Sequence, residues 1–126
     1  IGLRHNGPGM GYGLDFEGGA VTLHKARDGV STGALNPLAR VPWVSDGAWH
    51  EARIQIAGSL ITVTLDGRPL LSVRDTGALG SDAIPSGGIC LSARRWESAT
   101  GRTTVAFDDV RVELGGEPQA LLGRGY

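Results

Sequence analysis

Along most of its length the chain alternates apolar and polar residues with a period of two. In "WHEARIQIA" (49–57), Ala52, Ile54 and Ile56 fall on one face, and Glu51, Arg53 and Gln55 on the other. The alternation resumes with Ile61, Val63 and Leu65 against Thr62 and Thr64, and Leu71 and Val73 continue it beyond Asp66-Gly67. Successive side chains of a strand point to opposite faces, so this pattern predicts an antiparallel meander with one packed face and one wet face. Asp-Gly at 66–67 is a strong hairpin signal, because a tight hairpin turn needs residues that tolerate positive φ. Upstream, Tyr12, Leu14 and Phe16 share a face, "EGG" turns the chain, and Val21, Leu23 and Lys25 then alternate with Thr22 and His24. "GALNPLARV" (33–41) is weaker, and Pro37 and Pro42 restrict it to a sheet edge or a loop. "GGICLSA" (87–93) sets Ile89, Leu91 and Ala93 on one face. No convincing amphipathic helix is present; only "EPQALL" (117–122) predicts a helical turn. Short strands separated by turn signals every 8–12 residues or so predict an all-β sandwich or jelly roll.

One run breaks the alternation. In "TTVAFDDVRVEL" (103–114), Val105 and Phe107 are at odd positions, whereas Val110, Val112 and Leu114 are at even ones. A strand can change parity in this way only with an inserted residue, so a β-bulge is expected at Asp108-Asp109. A bulge re-aims side chains, and both carboxylates are then candidates for one rim, where they accept backbone hydrogen bonds, pair with Arg or help hold structural calcium. Calcium needs six to eight oxygen ligands. No D-x-D-x-D-G loop supplies them, so the bulge by itself is the simpler expectation. Adjacent strand residues diverge, which argues against an acid/base pair.

Composition narrows the partners. The 126 residues are enough for one domain, 20% are charged, and the formal net charge is −1 with dispersed basic residues. Arg94 and Arg95 beside Trp96 form the only basic-aromatic cluster, too small for a nucleic-acid footprint. No apolar run approaches the ~20 residues of a membrane span. The 21 glycines are scattered between apolar runs, as many tight turns require. One cysteine, Cys90, excludes an internal disulfide or a thiolate cluster. His5, His24 and His50 lie on separate expected strands without zinc spacing; His50, in parity with Ala52 and Ile54, is expected to be an inward hydrogen-bonded residue.

The set formed by Trp49-His50, Gly58, Asp66-Gly67, Asp75, Gly87-Gly88 before "ICLSA" and Phe107-Asp108-Asp109-Val110 resembles the C-terminal two-thirds of concanavalin A-like jelly-roll domains. That superfamily includes laminin-G-like domains, carbohydrate-binding modules and the 3-keto-disaccharide hydrolase domain. The resemblance implies an antiparallel β-sandwich over residues 1–114, with 115–126 as a tail or linker. It also implies several earlier strands missing from this chain. Ile1-Gly2-Leu3-Arg4 corresponds to a strand well inside the family domain, and residue 1 is Ile rather than Met. The remainder of a larger polypeptide or a partner subunit is therefore expected to supply the missing strands.

The resemblance further implies a saccharide-binding groove, with aromatic rings against sugar C–H faces and polar groups for hydroxyls. Trp96 and Arg94 in the polar loop "RRWESATG", Trp43 between Pro42 and "VSDG", and Arg4 and His5 are the candidate ligand-binding residues. Trp49 and Tyr12 are expected in the core. Enzyme signatures are sparse. There is no G-x-S-x-G elbow, and "GPGMGYG" precedes a strand rather than a phosphate-holding helix. The superfamily's glucanase E-x-D-x-E run and its alginate-lyase Arg-Glu and Gln-x-His motifs are also absent. The expectation is a non-catalytic carbohydrate-binding or adhesion module of an extracellular, cell-surface or virion-associated protein. A glycoside-processing enzyme of the 3-keto-disaccharide type and a structural domain of a phage tail or surface filament are the alternatives.

Overall fold

The structure, a computed structural model, describes residues 1–7, 9–28, 30–32, 36–80, 82–93, 105–114 and 117–118. The chain divides into two compact units, 1–92 and 93–126. Among its described residues the first contains nine strands: β1 (Gly2–His5), β2 (Gly11–Glu17), β3 (Ala20–Arg27), β4 (Val30–Ser31), β5 (Ala39–Pro42), β6 (Ala52–Ala57), β7 (Leu60–Leu65), β8 (Arg68–Arg74) and β9 (Gly88–Cys90). All pairings are antiparallel, and no α-helix occurs among the described residues.

One sheet runs β4-β3-β2-β1-β9, with β5 also on β3, and the other is the meander β6-β7-β8. The predicted alternation becomes their packing. Leu3, Tyr12, Leu14, Val21 and Leu23 from the larger sheet form one buried cluster with Ile61, Val63 and Leu71 from the smaller, and Ile84 joins it from the following loop. Each such aliphatic side chain contributes about 1.5–3 kcal/mol on burial. The architecture is thus all-β and sandwich-like.

The turns follow from their residues. Gly18 and Gly19 both have positive φ, as do Asp66 and Gly67, which is the conformation that suits a two-residue hairpin to strand twist. Pro42 ends β5, whose described pairing is to β3 alone, as expected for an edge. β1, although first in the chain, lies between β2 and β9.

The bulges lie elsewhere than at 108–109. Gly2 pairs with Cys90 and His5 with Gly88, so three steps along β1 match two along β9. Arg4 is the extra residue, at φ 48°. A second shift occurs where Val63 pairs with Leu71 but Thr64 pairs with Pro69, leaving Leu70 as the insertion. In the second unit, residues 105–112 form no strand at all. Asp109 has φ 50°, and its backbone N donates to Asp108 Oδ1 at 2.8 Å. The doublet therefore makes a local turn within a non-ladder segment, and the expected strand with its bulge is not formed there. The only strands described in this unit are β10 (Glu113–Leu114) and β11 (Glu117–Pro118), which pair with each other, so 117–118 are extended and not helical.

One further expectation is corrected: Trp49, expected in the core, is 69% exposed.

Candidate functional site

An open groove of about 480 Å³ is lined by Trp43, His50, Leu65, Asp66, Arg68, Pro69 and Leu70. Its position follows from the second bulge. Pro69 has no N–H to offer a ladder, and the insertion at Leu70 swings the start of β8 outward beside the Asp66-Gly67 turn. The opposite wall is the segment after β5. Trp43 N donates to Gly19 O at 2.9 Å, and the half-buried indole meets Phe16 edge-on at 5.3 Å and the His50 ring at 5.8 Å.

His50 joins the two walls. Its Nδ1 lies 2.6 Å from Asp66 Oδ2 and its Nε2 2.7 Å from Asp46 Oδ1. Asp46 also accepts from Ala48 N at 2.9 Å, and Asp66 Oδ1 accepts from Glu51 N at 2.9 Å, while Asp66 N donates to Glu51 O. Two carboxylate partners require an N–H on both ring nitrogens, which only the imidazolium provides. The bonds from Asp66 and then Asp46 accordingly raise the His50 pKa above its usual 6.5. The Ala48 N–H and His50 lower that of Asp46, and His50 and the Glu51 N–H lower that of Asp66. With neither nitrogen free, this imidazole cannot take a proton from a substrate as a general base does. Both carboxylates remain about half exposed, with lone pairs open to hydroxyl donors.

Of the expected ligand-binding residues, Trp43 is in this groove. Arg4 is not. Its Nη1 donates to Gly58 O (3.0 Å) and Ile84 O (2.6 Å), and Nη2 to Ile56 O (3.3 Å), so it ties β1 to the β6–β7 hairpin and to the loop before β9. Arg4→Met keeps the stem but strands three carbonyls; it should lower stability by about 2–4 kcal/mol in urea titrations and leave ligand affinity of the folded protein unchanged. His5 is exposed, and its ring lies over Gly2 and Gly11, away from the groove. Trp96 and Arg94 lie outside the described residues. Asp108 and Asp109 are exposed, and no set of three His, Cys, Asp or Glu side chains suited to a metal is gathered among the described residues.

Three constellations escape a reading by strand parity alone. The first is the Asp46–His50–Asp66 bridge. The second is buried: Lys25 Nζ is 2.6 Å from Asp75 Oδ2, both side chains fully inaccessible, and Nζ also donates to Ala78 O and Asp82 O. Tyr12 Oη donates to Asp75 Oδ2 at 2.8 Å and accepts from Ile84 N, and Asp75 Oδ1 accepts from Gly77 N and Ala78 N. Inward parity at Lys25 was the available signal for it. The third is a row on the outer face of the larger sheet, where His24 Nε2 meets Asp15 Oδ2 at 2.9 Å and Ser31 Oγ approaches Nδ1 at 3.5 Å. These are nucleophile, base and orienting-group types, but neither described groove borders them. Comparison with protein-family models, curated proteins and solved structures found no match to this chain.

Proposed function

We propose that the chain is a non-catalytic carbohydrate-binding module of an extracellular, cell-surface or virion-associated protein of the concanavalin A-like type, and that it holds saccharide in the Trp43 groove. The supporting observation is the combination around one opening of an indole with the half-exposed Asp66 carboxylate and Arg68. Aromatic carbon suits sugar C–H faces, and convergent polar groups fix hydroxyls and orientation. The doubly bonded His50 favours binding over turnover, because its imidazole has no nitrogen free to accept a proton. The remainder of a longer polypeptide or a partner subunit would extend the smaller sheet at β6, whose only described partner is β7.

A glycan array tests this reading. At least one saccharide should bind, and Arg68→Ala should weaken it roughly tenfold or more, the equivalent of one lost charged hydrogen bond. An array without signal above background overturns the proposal. The Ser31–His24–Asp15 row favours a second reading, a glycoside-processing enzyme, which requires turnover of glycosides or 3-keto-glycosides that is lost in Ser31→Ala.

A further inference from the structure

We propose that the His50 imidazolium is a pH-operated latch that closes the Trp43 groove, holding the 43–51 wall against the β7–β8 turn and releasing it when the ring loses its proton. The inference deepens the saccharide reading, since it concerns regulation of the same groove, but its physical basis is independent of any ligand.

The two walls come from different parts of the fold. One is the segment 43–51 after β5, which forms no strand, and the other is the turn at Asp66-Gly67 with the bulged start of β8. Two kinds of contact tie them. Asp66 N donating to Glu51 O, with Glu51 N donating to Asp66 Oδ1, secures the base of the segment, immediately before β6. Farther out, Asp46 is tied to the turn through the His50 ring, at 2.7 and 2.6 Å. The charged groups facing the ring are Asp46 from its own segment, Asp66 from the turn and Arg68 across the groove; Glu51 contributes its backbone.

Loss of one proton removes one of the two N–H donors. The neutral ring can satisfy only one carboxylate, and the other is left with a lone pair facing a lone pair. The backbone bond from Asp66 N to Glu51 O does not involve the ring, so the outer segment loosens while the base stays tied. Trp43, edge-on to the same ring, reports the change directly.

The sign follows from the raised basicity of His50 and the lowered values of both aspartates. The His50 contribution to stability is complete below the free-histidine value of 6.5 and is lost as pH rises through the higher folded value. The Asp46 and Asp66 contributions are present above 3.8 and are lost as pH falls through their lower folded values. The latch is therefore shut below pH 6.5 and opens as pH rises through the higher folded value of His50. If saccharide needs the shut form, its apparent affinity falls about tenfold per pH unit beyond the His50 midpoint.

The test uses the ligand-free chain in a Trp49→Phe/Trp96→Phe background, so that only Trp43 emits. Emission and amide exchange at 44–48 should change together with a midpoint above pH 6.5, matching the His50 titration followed by ring NMR. In His50→Gln the transition should vanish and the 44–48 amides should exchange fast at every pH. A His50 midpoint at or below the free-histidine value, or a transition that survives His50→Gln, overturns the latch. A negative glycan array with an intact titration would overturn only the saccharide reading, and the latch would stand.

Discussion

Lys25→Met should cost about 3–5 kcal/mol, the range seen when one member of a buried ion pair is removed, and so consume much of a domain's stability. The carboxylate it would abandon is inaccessible to water and is held by four donors, of which the ammonium is the one that carries charge. Asp75→Asn should be nearly as damaging, because it removes the charge that faces the buried ammonium at 2.6 Å. Combining Lys25→Met with Asp75→Leu should recover only part of the loss, since Tyr12 Oη and the Gly77 and Ala78 N–H groups still need an acceptor. Urea titration followed by circular dichroism measures all three, and a single-variant loss below about 1 kcal/mol would show that the pair is not the anchor described here. Burial opposes the Asp75 charge, but Lys25, Tyr12 and the two backbone N–H groups outweigh it and hold the carboxyl below its usual range. Its contribution is therefore present above pH 3.8 and fails as pH falls through the lower folded value. Tyr12, pushed up to about 12 by burial and then by Asp75, adds stability that is full below pH 10 and is lost toward 12.

Gly87→Ala should be the second severe change, at about 2–4 kcal/mol. Gly87 has φ +147°, and a Cβ there would run into the Arg4 carbonyl and the His5 carbonyl oxygen. These are backbone atoms at the β1 bulge, so nothing can rotate aside. Gly13→Ala is the control. The atoms in the way belong to the His24 ring, which can swing outward by giving up Asp15, and the cost should be about 1 kcal/mol. Equal melting temperatures for the two variants would contradict the bulge geometry.

These two sites mark where a sequence reading succeeds and where it stops. The β2–β3 and β6–β7–β8 strands and the turns at 18–19 and 66–67 were legible because alternation and turn glycines are local signals. The bulge was sought at Asp108-Asp109, on a parity change between 107 and 110. Those at Arg4 and Leu70 carried signals of their own: buried Leu3 followed by outward His5, and Pro69 ahead of two consecutive leucines. The general apolarity of indole points Trp49 inward, yet it lies in the strandless segment before β6 and is exposed. Of the residues lining the groove, only Trp43 stands out in the sequence as a candidate ligand contact. The residues opposite it come from a turn some twenty positions later, and no spacing rule connects Asp46 and His50 to Asp66. Lys25 was visible as an inward position, but its partner Asp75 lies in a loop beyond β8, a pairing that only tertiary structure makes.

The placement of β1 between β2 and β9 has a kinetic consequence. The hairpins β2–β3, β6–β7 and β7–β8 join neighbours in the chain and can form within microseconds of collapse. The β1–β9 pairing instead joins Gly2 to Cys90, so the larger sheet is incomplete until nearly the whole first unit has been synthesised and brought back on itself. Closing so long a loop before any contact repays it slows the final step, and refolding should show a slow phase that Arg4 and Gly87 substitutions lengthen while changes in the β6–β7 hairpin leave it alone.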